Sequence, residues 1–178
     1  MAMCVAIIGG NLQGVEATYL AKKAGWDVLL IDRNSQAPAS LLCDHFLPLT
    51  ITTETDPHEI LKDVELIIPA IENNSVLDIL QAWSMDTGIP MAFDREAYAV
   101  SSSKKTSNQM FQDLGLSTPD PWPQCGFPMV VKPDGESGSH GVKVIHNQEE
   151  LTLLHDGQLK VLEIDARVPS QTPTINTC

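Results

Sequence analysis

Residues 3–32 constrain the fold more than any other stretch of the chain. An apolar run, MCVAIIGG, ends in Gly9-Gly10; a helical stretch from Leu12 to Ala24 follows, then a second apolar run in DVLLIDRN. A strand with no polar alternation is covered on both faces, as in a parallel sheet with helices on either side. In the helical stretch Val15, Tyr19 and Ala24 share a side. Lys22 and Lys23 lie at the C-terminal end, where cations suit the helix dipole, and Gly25 stops the helix. The order is β-α-β, a unit that crosses over right-handed in nearly all sheets.

The alternation continues through a short helix at Ile60–Leu61 and a strand, ELIIPA, over 65–70. A helix through Val76, Leu77, Leu80 and Trp83, capped by Asn73 or Asn74, ends at Gly88, and IPMAF supplies another short strand. Residues 1–93 are therefore expected to form a small Rossmann-like α/β domain with a parallel sheet. REAYAVSSSKKTSNQMFQDLG predicts one polar helical run closing at Gly115. Pro119, Pro121 and Pro123 then favour an extended connection, so 94–123 is expected to link two domains. Residues 124–178 are expected to hold a hairpin of GFPMVVKP and HGVKVIH. A short helix capped by Asn147 with Glu150 three residues on comes next, and a last strand in LKVLEIDA. The second domain is thus a partial α+β unit.

The net charge of −12 and pI near 4.6 argue against a nonspecific nucleic-acid or anionic-membrane surface. No apolar run approaches membrane-spanning length. The start, MAMCVAIIGG, has neither a basic leader region nor a processing site, so a cytoplasmic protein whose first strand begins at once is expected. Cys4, Cys43, Cys125 and Cys178 are widely spaced, which suits reduced thiols and not structural zinc. A homodimer is among the assemblies open to such a chain.

Two groups of residues offer chemistry. Gly9-Gly10-Asn11-Leu12-Gln13-Gly14 falls between the first strand and first helix, where parallel-sheet domains place ligands. The spacing is GGxxxG, not GxGxxG, while Asp32 ends the second strand where a ribose-binding acid would stand. A dinucleotide site, a site for a carboxylate or other small ligand, and turn glycines remain open readings. Glu16, on the first helix, faces either the same crevice or solvent. Glu72, Asn73 and Asn74 follow ELIIPA at the same sheet edge. They offer acceptors for the ammonium group of an amino acid, or a helix cap.

The second group begins with Lys132 on a strand leading into Gly135, Glu136, Ser137, Gly138 and Ser139. A strand lysine supplies a point charge for phosphates, and loop amides and hydroxyls wrap them. No Walker loop is present, because the lysine precedes the glycines. Lys104 and Lys105 either add charge to the same nucleotide or lie on a solvated face. Glu163, Asp165 and Arg167 alternate along the last strand. Two carboxylates and a guanidinium on one strand face suit magnesium bound to phosphate, or a surface salt bridge. Ser170 and Gln171 follow.

The sequences CVAIIGGNLQGVEATYLAKKAG, SSSKKTSNQMFQDLGLSTP, FPMVVKPDGESGSHGV and EIDARVPSQTPT, in this order, resemble the ATP-grasp superfamily. GGNLQG combined with EIDAR–PSQTPT is most similar to its branch that joins 3-methylornithine to the side-chain amine of L-lysine in pyrrolysine biosynthesis. Branches resembling D-alanine–D-alanine ligase and biotin carboxylase are the runners-up. The resemblance implies an ATP- and magnesium-dependent carboxylate–amine ligase working through an acyl phosphate. It implies that Lys132 and Lys104 bind ATP phosphates and that Glu136, Ser137, Gly138 and Ser139 cover them. Glu163 and Asp165 would hold magnesium, Arg167 would contact phosphate, and Gln13, Glu16, Glu72, Asn73 and Ser170 would bind the amino acid.

One departure accompanies it. Thirty residues lie between Lys132 and Glu163, where the superfamily carries a longer central section. An internal join near 150–157 and weak or absent ligase activity are therefore expected, with the lysine and EIDAR segments as opposing walls of a phosphate site. A small-ligand or dinucleotide-binding protein, and a noncatalytic truncated paralogue, are the competing readings.

Overall fold

The computed structural model describes residues 2–120, 122–133, 141–156 and 162–165. They divide into two compact units, Met1–Phe93 and Asp94–Cys178.

The first unit holds β1 (Cys4–Ile8), α1 (Leu12–Lys23), β2 (Asp27–Asp32), a 3-10 turn (Pro38–Leu41), β3 (His45–Pro48), α2 (Pro57–Ile60), β4 (Leu66–Pro69) and α3 (Asn74–Thr87). Its four strands are all parallel, in the order β3-β2-β1-β4. Alternate residues of β1 feed two separate cores. Val5 and Ile7 pack with Ala21, Val28, Leu30 and Ala39, while Ala6 and Ile8 pack with Ile31, Leu61, Ile67, Leu80 and Trp83. The unbroken apolar run of β1 therefore follows from its central place in a three-layer unit.

Several local expectations are corrected. The buried residues of α1 are Gly14, Thr18 and Ala21, whereas Tyr19 is 55% exposed. Small side chains let this helix lie close to the sheet, which a face of Tyr19 would prevent. IPMAF contributes only a parallel bridge between Ile67 and Met91. Pro90 has no N–H to extend the ladder, although its carbonyl accepts from Ile67 at 2.9 Å. Strand β3 and the turn before it have no counterpart in the expected alternation. Asp44 anchors them, accepting from the Val28 amide at 2.8 Å and from Lys22 Nζ at 2.5 Å.

In the second unit the predicted single helical run is two helices, α4 (Arg95–Ser101) and α5 (Lys104–Asp113). Ser103 divides them because its hydroxyl accepts from the Thr106 amide at 3.2 Å, a helix cap inside the apparent run. Strands β5 (Met129–Pro133), β6 (Lys143–Ile145) and β7 (Leu162–Asp165) form an antiparallel sheet ordered β6-β5-β7. Between β6 and β7 lies α6 (Gln148–Asp156). Asn147 Oδ1 accepts from the Glu150 amide at 3.0 Å, and Glu150 reaches back to the His146 amide at 2.9 Å. Cys125, Met129, Val131, Ile145 and Leu151 make the core of this unit.

Candidate functional site

The strand order of the first unit reverses between β1 and β4, the place where open parallel sheets bind ligands beyond their carboxyl ends. The loops after these two strands hold the residues singled out there. Gln13 Nε2 donates to Glu72 Oε1 at 3.2 Å, tying the start of α1 to the loop after β4. Both side chains are exposed at the edge. Glu16 is exposed one turn along α1. Asn73 does something else: its Oδ1 accepts from the Val76 amide at 3.1 Å and so caps α3.

The glycines of GGNLQG are occupied by the protein itself. A Cβ on Gly14 would stand 2.0 Å from the Gly9 carbonyl oxygen, and one on Gly9 would stand 2.5 Å from that of Ala70. On Gly10 it would meet the Ala37 Cβ at 2.6 Å. Asp32, in the position of a ribose-binding acid, is engaged locally: it accepts from the Gly10 amide at 2.6 Å and the Asn34 amide at 2.7 Å. The Gly10 carbonyl accepts from the Ala39 amide at 3.0 Å. These contacts favour packing glycines over a dinucleotide loop. The small residues Ala37 and Ala39 were the unrecognised sequence signal, since they fit against the loop as larger side chains would not.

Lys132 is half-buried near the end of β5. The segments expected as opposing walls are neighbouring strands of one sheet, with Lys132 paired to Glu163 and Val130 to Asp165. Lys104 and Lys105 stand in the first turn of α5. The helix dipole disfavours cations there. Glu136, Ser137, Gly138, Ser139, Arg167 and Ser170 lie outside the described residues. Among the described residues no three metal-ligating side chains converge. The donor types at Lys132, Glu163 and Asp165 nevertheless suit a phosphate and its cation.

Burial, followed by nearby carboxylates, pushes the Cys4 thiol up, and burial first among several influences does the same at Cys43. Neither is poised as a nucleophile. No described helix is long and apolar enough to cross a membrane.

This combination, a Rossmann-like unit followed by part of a lysine-bearing antiparallel unit, is the fold of the ATP-grasp superfamily. The N5-carboxyaminoimidazole ribonucleotide synthetase of Thermus thermophilus superimposes with a TM-score of 0.72 at 18% identity, over 93% of this chain and 47% of that one. Residues 5–92 match the family described as PylC-like, N-terminal domain. The 3-methyl-D-ornithine–L-lysine ligases of Methanosarcina mazei and Methanosarcina acetivorans are 39% and 38% identical over 167 residues. Those matches take in 93% of this chain but 45% and 46% of the ligases, so the chain spans about half the length of these relatives.

Proposed function

We propose that the chain carries the phosphate-gripping and amino-acid-binding parts of an ATP-dependent carboxylate–amine ligase of pyrrolysine biosynthesis, the ligase that joins 3-methylornithine to the side-chain amine of L-lysine. The observation that carries this reading is the match to the Methanosarcina ligases, which extends through both units. ATP bound with magnesium would supply the phosphoryl group that converts a carboxylate to an acyl phosphate with release of ADP, and an amine would then displace phosphate to form the amide.

Lys132 offers a compact positive charge to the phosphates, and Lys104 adds a second at the start of α5. Glu163 and Asp165 supply carboxylates for magnesium. Glu136, Ser137, Gly138 and Ser139 cover the phosphates, Arg167 steadies the charge that develops on them, and Ser170 contacts substrate. At the other site the Gln13 amide holds one oxygen of Glu72, fixing a carboxylate at the sheet edge for the ammonium group of a basic amino acid. Glu16 adds negative charge beside it.

Calorimetric titration with 3-methyl-D-ornithine tests the amino-acid site. Glu72→Ala should weaken binding about tenfold or more, the loss of one charge-assisted contact. Equal affinity in the two proteins would remove Glu72 from the site.

A further inference from the structure

Helix α1 has an outer face on the side away from its buried residues, Gly14, Thr18 and Ala21. Glu16, Tyr19, Leu20 and Lys23 recur there at the spacing of a single helical stripe, and all four are exposed. Leu20 is 65% exposed, and Leu12, 71% exposed, continues the stripe one turn earlier. Neighbouring Lys22 is held by Asp44. Glu16 and Lys23, in contrast, make no ion pair or side-chain hydrogen bond among the described residues. The stripe thus has two large apolar side chains at its centre and one free charge of each sign flanking them.

This pattern is complementary to itself in one orientation. About a twofold axis passing between Tyr19 and Leu20, with the helices antiparallel, each Tyr19 meets the partner's Leu20. Each Glu16 then meets the partner's Lys23, because positions 16 and 23 lie equally far from the axis. A parallel pair would set Glu16 on Glu16 and Lys23 on Lys23, which like-charge repulsion opposes. A net charge of −12 sets two copies of the chain against each other in general. The stripe offsets that repulsion locally with two crossed ion pairs around an apolar centre.

We propose that the outer face of α1 is the contact surface of a homodimer in which the α1 helices of two copies pack antiparallel. At Glu16 this contact meets the function proposed above. A basic amino acid beside Glu72 draws on the same carboxylate that the partner's Lys23 neutralises. Amino-acid binding and association therefore oppose each other by linkage. That consequence alone rests on the proposed function.

Sedimentation equilibrium on the full chain tests the face. The wild type should form a dimer as its concentration rises to about 1 mM, where even weak contacts associate. Glu16→Lys and Lys23→Glu should each weaken association about tenfold or more, because both crossed contacts become like-charged. An equimolar mixture of the two single variants should associate close to the wild type, since opposite charges face each other again. The double variant Glu16→Lys/Lys23→Glu should do the same. A wild type that stays monomeric throughout overturns the proposal. Association that the single reversals leave unchanged, or that neither the mixture nor the double variant restores, overturns it equally. Adding 3-methyl-D-ornithine should weaken association of the wild type. Association unmoved by the amino acid contradicts the role of Glu16 at the amino-acid site, and the charge-swap series still decides the face.

Discussion

Gly14 shows how a glycine beside a candidate ligand site acquires its meaning from what surrounds it. Its missing side chain makes room for the Gly9 carbonyl, so Gly14→Ala forces a backbone shift. Equilibrium denaturation should show a loss of about 1–3 kcal/mol, the usual cost of overpacking; unchanged stability would mean the loop is loose enough to hold something else. The glycines themselves were visible in the sequence. Whether the space beside them belonged to a ligand or to the chain was not, because that depends on Ala37 and Ala70, which arrive from distant positions.

Asp44 provides a second test at this scale. Its hydrogen bonds from Lys22 and from the Val28 amide hold the carboxyl below its ordinary range. A depressed folded-state pKa stabilises the fold above the unfolded pKa, and the contribution is lost as pH falls through the folded value. Urea midpoints measured from neutral to acid pH should therefore decline less steeply in Asp44→Asn than in the wild type. The difference at neutral pH should be about 1 kcal/mol or less, since the Lys22 pair is partly exposed. Parallel pH profiles would assign the acid response to other groups.

Among elements, the central strands and α3 were the most legible. β1 and β2 are apolar without interruption, and α3 carries Leu77, Leu80 and Trp83 at helical spacing between Asn73 and the left-handed Gly88. Elements held by tertiary contacts were poorly legible. β3 is four residues long and secured by Asp44, and the inner face of α1 is marked by small residues instead of large apolar ones. The division of α4 from α5 depends on which of three consecutive serines becomes a cap. Asn73 was open to two readings in the sequence, ligand or cap, and the structure shows the cap. Asn73→Ala should cost about 0.5–2 kcal/mol in thermal or urea unfolding, with 3-methyl-D-ornithine affinity unchanged. A selective loss of amino-acid binding at full stability would return Asn73 to the site.

At the scale of the whole molecule, the two units carry different chemistry. The first offers a carboxylate at the point where the strand order of its sheet reverses, and the second offers a lysine beside two acids and a pair of lysines at a helix start. Lys132, Glu163 and Asp165 could be picked out as a group from their residue types. Their pairing on adjacent strands could not, because spacing along a chain does not say which strands become neighbours. The chain spans about half the length of its Methanosarcina relatives, so binding of the nucleotide is a more direct test than turnover. The decisive measurement is a calorimetric titration of magnesium-ATP into the wild type and Lys132→Ala. The wild type should show saturable binding that weakens about tenfold or more in the variant, as expected for loss of a charged phosphate contact. Equal affinity in the two proteins would contradict the assignment of the phosphate site to Lys132.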